Sequence, residues 1–153
     1  MNNIELNKTN KIISLISDIS NSANKLIIEE LKKHKLSGLA PSHGNILVLL
    51  YENEAGVPMN KITSSINKDK STVTALVNKL VKLDLIEKFK NKNDSRSTMV
   101  KLTQKGLETK PIVLDNISNK LLDTTYKNFS PKEKELVYSL LEKIKDNFNS
   151  INE

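Results

Sequence analysis

Between Lys70 and Lys82, the residues Ser71, Thr74, Ala75, Asn78 and Lys82 recur at intervals of three or four. On a helix that spacing gathers two hydroxyls, a methyl, an amide and an ammonium onto one face. Such groups can hydrogen-bond base edges or phosphate oxygens, and the Ala75 methyl can meet the methyl of thymine. A solvated helix face is the plainer alternative. A second feature is Arg96, the only arginine in a chain whose other cations of this kind are all lysines. It lies in a polar stretch, with Asp94 two residues earlier and able to orient it through a charge-assisted hydrogen bond. A guanidinium is planar and less strongly hydrated than an ammonium, which suits the narrow, electronegative minor groove of A·T-rich DNA. The alternative here is a solvated turn holding a surface ion pair of little worth.

Other chemistries find little support. No nucleophile–base pair stands at a recognised spacing, and no paired carboxylates come with a pocket to shift their pKa values. The four glycines form no phosphate-cradling loop. An enzyme is not expected. With no cysteine, disulfides, zinc–thiolate sites and thiol redox sensing are excluded. His34 and His43, together with Glu29 and Glu30, are the remaining candidates for a metal. Two histidines without a cysteine make a poor tetrahedral zinc site. His34 reads instead as a residue at the C-terminal end of a helix, and His43 as a first-turn residue of the next. Neither a metal nor a cofactor is expected.

Charge is unevenly placed. From Val57 to Lys110 there are twelve cations against five acids, a surplus of seven. The segment before it is balanced and the one after it carries a net charge of −1, so the overall +6 resides in the middle third. A basic block between neutral flanks points to a polyanion-binding module held in a structural frame. The apolar fraction of 37% is low for a monomeric globule and fits a helical protein that reserves apolar surface for a partner subunit. Met1 to Lys11 lacks the apolar run of a signal peptide, and the longest apolar run, Ile46 to Leu50, is far short of a bilayer span. The expectation is a soluble, cytoplasmic protein with no membrane partner.

The elements that would position these residues follow from periodicity. Ile12, Leu15, Ile16, Ile19, Ala23, Leu26, Ile27 and Leu31 mark one face of a long helix, ended by Ser37-Gly38. Pro41-Ser42 opens the next, with Ser42 as N-cap, and Ile46, Leu47, Leu49 and Leu50 form its inner stripe. After a turn at Glu54-Ala55-Gly56, a short helix runs from about Pro58 to Ile66, with Met59, Ile62 and Ile66 inward. Asn67-Lys68-Asp69 is a polar turn whose Asp69 caps a helix of about Lys70 to Asp84, with Val73, Leu76, Val77, Leu80 and Leu83 inward. Two short helices joined by a tight turn, the second polar on its free face, form a helix-turn-helix.

Strand-like runs at Leu85 to Lys90 and Thr98 to Leu102 flank a charged seven-residue loop from Asn91 to Ser97, too long for a two-residue hairpin turn. A hairpin with a basic loop, directly after such a helix, is a wing. Thr103 caps a helix continuing to about Tyr126, which Pro111 should kink or split. Ser130-Pro131-Lys132-Glu133 is a capping box. It opens a last helix with apolar residues at Leu136/Val137, Leu140/Leu141, Ile144, Phe148 and Ile151. The predicted fold is mainly α with a small β-hairpin wing: a winged helix-turn-helix with N- and C-terminal dimerisation helices.

In this order the chain resembles the MarR family over almost its whole length. Pro41-Ser42-His43-Gly44-Asn45-Ile46-Leu47 resembles the family's entry into its second helix. Asp69-Lys70-Ser71-Thr72-Val73-Thr74, with Leu76-Val77 and Leu80, resembles its recognition helix. Asp94-Ser95-Arg96, then Val100-Lys101-Leu102-Thr103 and Gly106, resembles the wing and the Leu-Thr-x-x-Gly opening the following helix. Three positions depart from the pattern. Asp84 stands where glycine is usual, Lys68 where an aliphatic residue commonly packs, and Lys88 where arginine is frequent at the base of the wing.

The resemblance implies one MarR-like domain over 1–153, with residues 42–110 as the DNA-binding lobe and 1–36 and 111–153 as dimerisation helices. It implies a homodimer on a near-palindromic operator in double-stranded DNA, loosened by a small aromatic or anionic effector. The expected DNA-binding residues are Lys70, Ser71, Thr72, Thr74, Ala75, Asn78, Lys79, Lys82, Lys92, Asp94 and Arg96. The expected dimerisation residues are Ile12, Ile16, Ile19, Leu136, Leu140, Ile144 and Phe148. The expected function is a sequence-specific transcriptional regulator, a ligand-responsive repressor. The rival is a winged-helix interaction protein that acts on other regulators without binding an operator.

Overall fold

The structure is a computed structural model that describes residues 11–92, 94 and 96–152. The first ten residues of the expected N-terminal dimerisation segment lie outside the described residues, as do Asn93 and Ser95 of the expected wing loop and Glu153 at the end of the expected C-terminal dimerisation segment. The chain forms two units, residues 1–119 and 120–153.

In the first unit, α1 spans Ile12–Lys33. Its apolar stripe is buried only toward the C-terminal end, where Leu31 joins the core and Ile27 packs against it. The helix ends earlier than Ser37-Gly38. Lys35 adopts a left-handed φ of 62°, its N–H bonds to the Lys32 carbonyl, and the Leu36 N–H reaches back to the Leu31 carbonyl. That pair of bonds is a Schellman ending, which satisfies carbonyls the helix leaves free.

Helix α2, Pro41–Tyr51, has Ala40 rather than Ser42 as its N-cap. Pro41 occupies the first helical position, where its missing N–H is no loss. His43, two residues further, turns its Nδ1 back to accept the Ala40 N–H at 2.8 Å. Ser42 therefore lies inside the helix, and the histidine does the reciprocal half of the capping. Ile46, Leu47 and Leu50 are fully buried and form the centre of the core, with Leu49 partly buried beside them.

Gly56, at φ 95°, then turns the chain into a two-residue strand, β1 (Val57–Pro58), which the sequence pattern did not reveal. Helix α3, Met59–Ile66, follows directly and buries Ile62. Asn67, left-handed at φ 49°, makes the tight turn to α4, Lys70–Lys82. As expected, Asp69 caps α4, and Val73, Val77 and Leu80 are fully buried.

Strands β2 (Ile86–Lys90) and β3 (Thr98–Leu102) form the antiparallel wing hairpin, in register from Ile86 opposite Leu102 to Lys90 opposite Thr98. β1 adds to the other edge of β3, so the sheet has three strands in the order β1-β3-β2 instead of the expected two.

The segment after the wing locks the end of α4. Asp84 adopts φ 58°, and the Asp84 and Leu85 N–H groups bond to the Val81 and Leu80 carbonyls. This is a second Schellman ending, and its left-handed position is the one where the family usually has glycine. The Thr103 hydroxyl donates to the Asp84 carbonyl at 2.6 Å, and Lys105 Nζ donates to the Leu83 carbonyl at 2.8 Å. Thr103 also caps α5 (Gln104–Glu108) by accepting the Gly106 N–H. A side chain at Gly106 would collide with the Leu85 carbonyl, so the Leu-Thr-x-x-Gly pattern is a clamp on α4 that glycine alone allows to close.

Of the kink or split expected at Pro111 in the helix to Tyr126, the structure shows a split. α5 stops at Glu108, and after Pro111 the chain winds in a wider π-helical register over Ile112–Ser118. Proline has no N–H to give the carbonyl four residues back, and such widened turns occur where the regular ladder is broken. Val113 and Ile117 on this stretch complete the core.

The short α6 (Asn119–Thr125) begins at the last residue of the first unit, and the main helix of the second unit is α7, Pro131–Asn149. The predicted capping box is present. Ser130 Oγ accepts the Glu133 N–H, and Glu133 Oε2 accepts the Ser130 N–H at 2.8 Å. Among the described residues, no helix is long and apolar enough to cross a membrane.

Candidate nucleic-acid interface

Helix α4 begins with a dense local network. Asp69 Oδ1 accepts the Ser71 hydroxyl at 2.5 Å and the Thr72 N–H at 2.8 Å, and Oδ2 accepts the Thr72 hydroxyl at 2.6 Å. Led by the Ser71 bond, these interactions hold the Asp69 carboxyl well below the usual carboxylate range. One turn on, the Thr74 hydroxyl donates to the Lys70 carbonyl at 2.8 Å. The hydroxyl hydrogens of Ser71, Thr72 and Thr74 are thus engaged within the helix. What these side chains offer outward is oxygen lone pairs, which are acceptors.

Further along, Ala75, Asn78, Lys79 and Lys82 are exposed. Lys79 lies apart from the wing, on the flank that approaches Gly38 and His43. Asn78 faces the wing, and its Oδ1 accepts a hydrogen bond from Lys88 Nζ on β2 at 2.6 Å.

The wing loop is tied at its base and at its tip. The Asn91 N–H bonds to the Ser97 carbonyl, and the Ser97 N–H to the Asp94 carbonyl. Asp94 Oδ1 accepts the backbone N–H of Arg96 at 3.0 Å. The carboxylate shapes the turn that carries the arginine, and so acts on its backbone rather than its guanidinium. Lys92, Asp94 and Arg96 are all exposed.

A groove of about 750 Å³ joins these parts. Met59, Asn60, Thr63 and Ser64 of α3 form one wall, Lys70 and Thr74 of α4 a second, and Lys88 with Asp94, Arg96, Ser97 and Thr98 the wing side. Of the expected DNA-binding residues, the groove gathers Lys70, Thr74, Asp94 and Arg96. Ser71, Thr72, Ala75, Asn78, Lys79, Lys82 and Lys92 lie outside its lining. Lys88, Asn60 and Ser64 also line the groove, and the sequence reading did not name them as DNA-binding. Lys88 was marked in the sequence only as a replacement for a frequent arginine, and no local pattern identifies the two α3 residues.

Several cations of the basic block have structural partners instead. Lys101 pairs with Glu87 across the hairpin at 3.1 Å, Lys105 holds the Leu83 carbonyl, and Lys61 donates to Asn53 Oδ1. Lys110 stands 3.8 Å from Glu54. Among the described residues, no group of three or more His, Asp or Glu side chains is placed to hold a metal ion.

The family model described as the MarR family matches residues 39–98, which run from two residues before α2 to the first residue of β3. The chain is similar to the HTH-type transcriptional regulator SarZ of Staphylococcus haemolyticus, 28% identical over 142 residues that cover 92% of each chain. It is also similar to the HTH-type transcriptional regulator BilQ of Clostridioides difficile, 34% identical over 119 residues that cover 76% of each. A crystal structure of a point mutant of MarR from E.coli, complexed with operator DNA, superposes with a TM-score of 0.78. The match covers 90% of this chain and 96% of that one at 20% identity.

Proposed function

The chain belongs to the MarR family, and on that premise we propose that it is a repressor binding a near-palindromic operator as a homodimer and released by a small aromatic or anionic effector. It is a transcriptional regulator with a DNA-binding winged-helix fold. The observation that carries the proposal is the groove in which Lys70 and Thr74 of the recognition helix, Lys88 of the wing strand and Arg96 of the wing loop converge. One surface thereby offers cations for phosphates and side chains at base-reading positions, the combination that positions and then specifies. The operator complex of the E.coli protein supports the same use of the fold.

Dimerisation is supported by apolar exposure. Ile12 and Ile19 of α1 and Leu136, Leu140 and Phe148 of α7 are each at least 41% exposed in the single chain, while Ile16 and Ile144 are half-buried. Apolar side chains in helical rows favour a second copy of the chain over water. The effector rests on the family resemblance. A ligand that binds the folded protein raises its melting temperature by mass action, so a thermal-shift screen of aromatic and anionic compounds tests it.

A gel shift on the DNA upstream of the protein's own gene, with excess unrelated duplex as competitor, tests the central reading. A retarded band that survives competition is expected. A band abolished by any duplex equally would replace the operator with non-specific binding.

A further inference from the structure

The bond between Lys88 Nζ and Asn78 Oδ1 determines how the Asn78 amide is turned. An ammonium carries three donors and no acceptor, so the atom facing it at 2.6 Å must be the amide oxygen. The amide NH₂ is directed away from Lys88. Asn78 is exposed and lies one helical turn beyond Thr74, among the residues expected to meet a major groove.

An asparagine free to turn recognises adenine by two parallel bonds, donating to N7 and accepting from the N6 amino group. Here the accepting half is engaged by a cation, and that same positive charge repels an amino group brought near it. What remains is a donor array, the amide NH₂ with the unused hydrogens of the ammonium beside it. In the major groove the complementary edges are those rich in acceptors. Guanine offers O6 and N7 and thymine offers O4, whereas adenine and cytosine place an amino group there.

We propose that Lys88 is a positioning residue which, by holding the Asn78 oxygen, makes Asn78 select a guanine or thymine edge and reject adenine. This rests on the reading of the chain as a sequence-specific DNA-binding protein. Thr74 and Ser71, whose hydroxyl hydrogens are engaged within the helix, supply the opposite chemistry, so the donor and acceptor positions along α4 differ in the bases they favour.

The test is selection from a library of random-sequence duplexes by the full-length protein and by Asn78→Ala, Lys88→Met and Lys88→Arg. The position whose preference disappears in Asn78→Ala is the one the amide reads. Wild type should prefer guanine or thymine there. Lys88→Met should turn the preference toward adenine, a swing of about tenfold or more in relative affinity, the scale of one good base contact. Lys88→Arg, which keeps the donors, should restore the wild-type preference. Lys88→Met also removes a charge, so the readout is the ratio between bases at that position, which a general loss of affinity leaves unchanged. An unaltered preference in Lys88→Met, or no position lost in Asn78→Ala, overturns the proposal while leaving sequence-specific binding intact. A wild-type protein that binds the library but enriches no sequence overturns the underlying reading, and this inference with it.

Discussion

The Tyr51 hydroxyl donates to the hydroxyl of Thr109 at 2.7 Å, joining the end of α2 to the end of α5 inside the core. The direction follows from the second bond of Thr109, whose hydrogen goes to the Gly106 carbonyl at 2.6 Å. Tyr51→Phe removes the donor and leaves Thr109 with its own bond, so it should cost about 0.5–1.5 kcal/mol. Thr109→Val strands the buried Tyr51 hydroxyl, while the Gly106 carbonyl keeps its bond from the backbone N–H of residue 109, and should cost more, roughly 1–3 kcal/mol. Denaturant unfolding of both variants checks the order, and a larger loss in Tyr51→Phe would refute the assigned direction.

His43 links stability to pH. Burial chiefly, with the nearby Lys79 charge, holds its pKa below the usual 6.5. Its Nδ1 must also stay unprotonated to accept the Ala40 N–H. With the folded pKa below the unfolded one, the unfolded chain takes up the proton first as pH falls. The contribution is therefore present above about pH 6.5 and lost as pH falls through the folded value. Gln at this position can accept the same N–H without titrating. Melting curves from pH 7.5 to 5 should fall less steeply for His43→Gln than for wild type; parallel curves would remove His43 from the account.

The clamp after the wing predicts two substitutions of opposite sign. Gly106→Ala sets a methyl against the Leu85 carbonyl oxygen and must displace backbone, so it should destabilise by several kcal/mol or prevent folding. Asp84→Gly relieves a left-handed residue and removes a negative charge from a helix C-terminus. Glycine's greater freedom in the unfolded chain offsets part of the gain, leaving roughly 0.5–1 kcal/mol of stabilisation. Thermal melts should move in opposite directions, and a destabilised Asp84→Gly would show that the aspartate side chain has another partner.

At the wing tip, Arg96→Ala should weaken operator binding by about 1–3 kcal/mol per subunit. Arg96→Lys should also weaken it, most on operators with A·T-rich flanks, if the guanidinium enters the minor groove. The Asp94 bond adds a distinction. Because its carboxylate accepts a backbone N–H, Asp94→Asn retains an acceptor and should bind nearly as wild type, whereas Asp94→Ala should not. Fluorescence anisotropy on paired operators decides both, and indifference to Arg96→Lys returns the contact to phosphate alone.

Charged residues at Leu140 and Ile144 should dissociate the proposed dimer. Sedimentation velocity should show a dimer for wild type and a monomer for Leu140→Glu/Ile144→Glu. A wild-type monomer that binds operator would end the dimer proposal.

The helices were legible in the sequence because their signals are local. Apolar spacing along α4, the Asp69 and Thr103 caps and the Ser130–Glu133 box each depend on residues within about one turn of each other, where chain connectivity already sets the distance. The same locality exposed the wing, the lone arginine beside Asp94 and the basic middle third. The left-handed ending at Lys35 was not legible, because lysine carries no preference for that conformation and the surrounding packing imposes it, whereas at Asp84 the family's usual glycine was the one hint.

Strand β1 is two residues long, too short for any periodicity, and exists only because β3 passes beside it. Asn78 and Lys88 illustrate the limit most clearly. The sequence marked one as a reader of bases and the other as a departure from a pattern, but their bond spans a helix and a strand. Whether an amide presents its oxygen or its NH₂ depends on which charge stands beside it. That neighbour is set by the approach of β2 to α4, a distance that residue spacing along the chain does not contain.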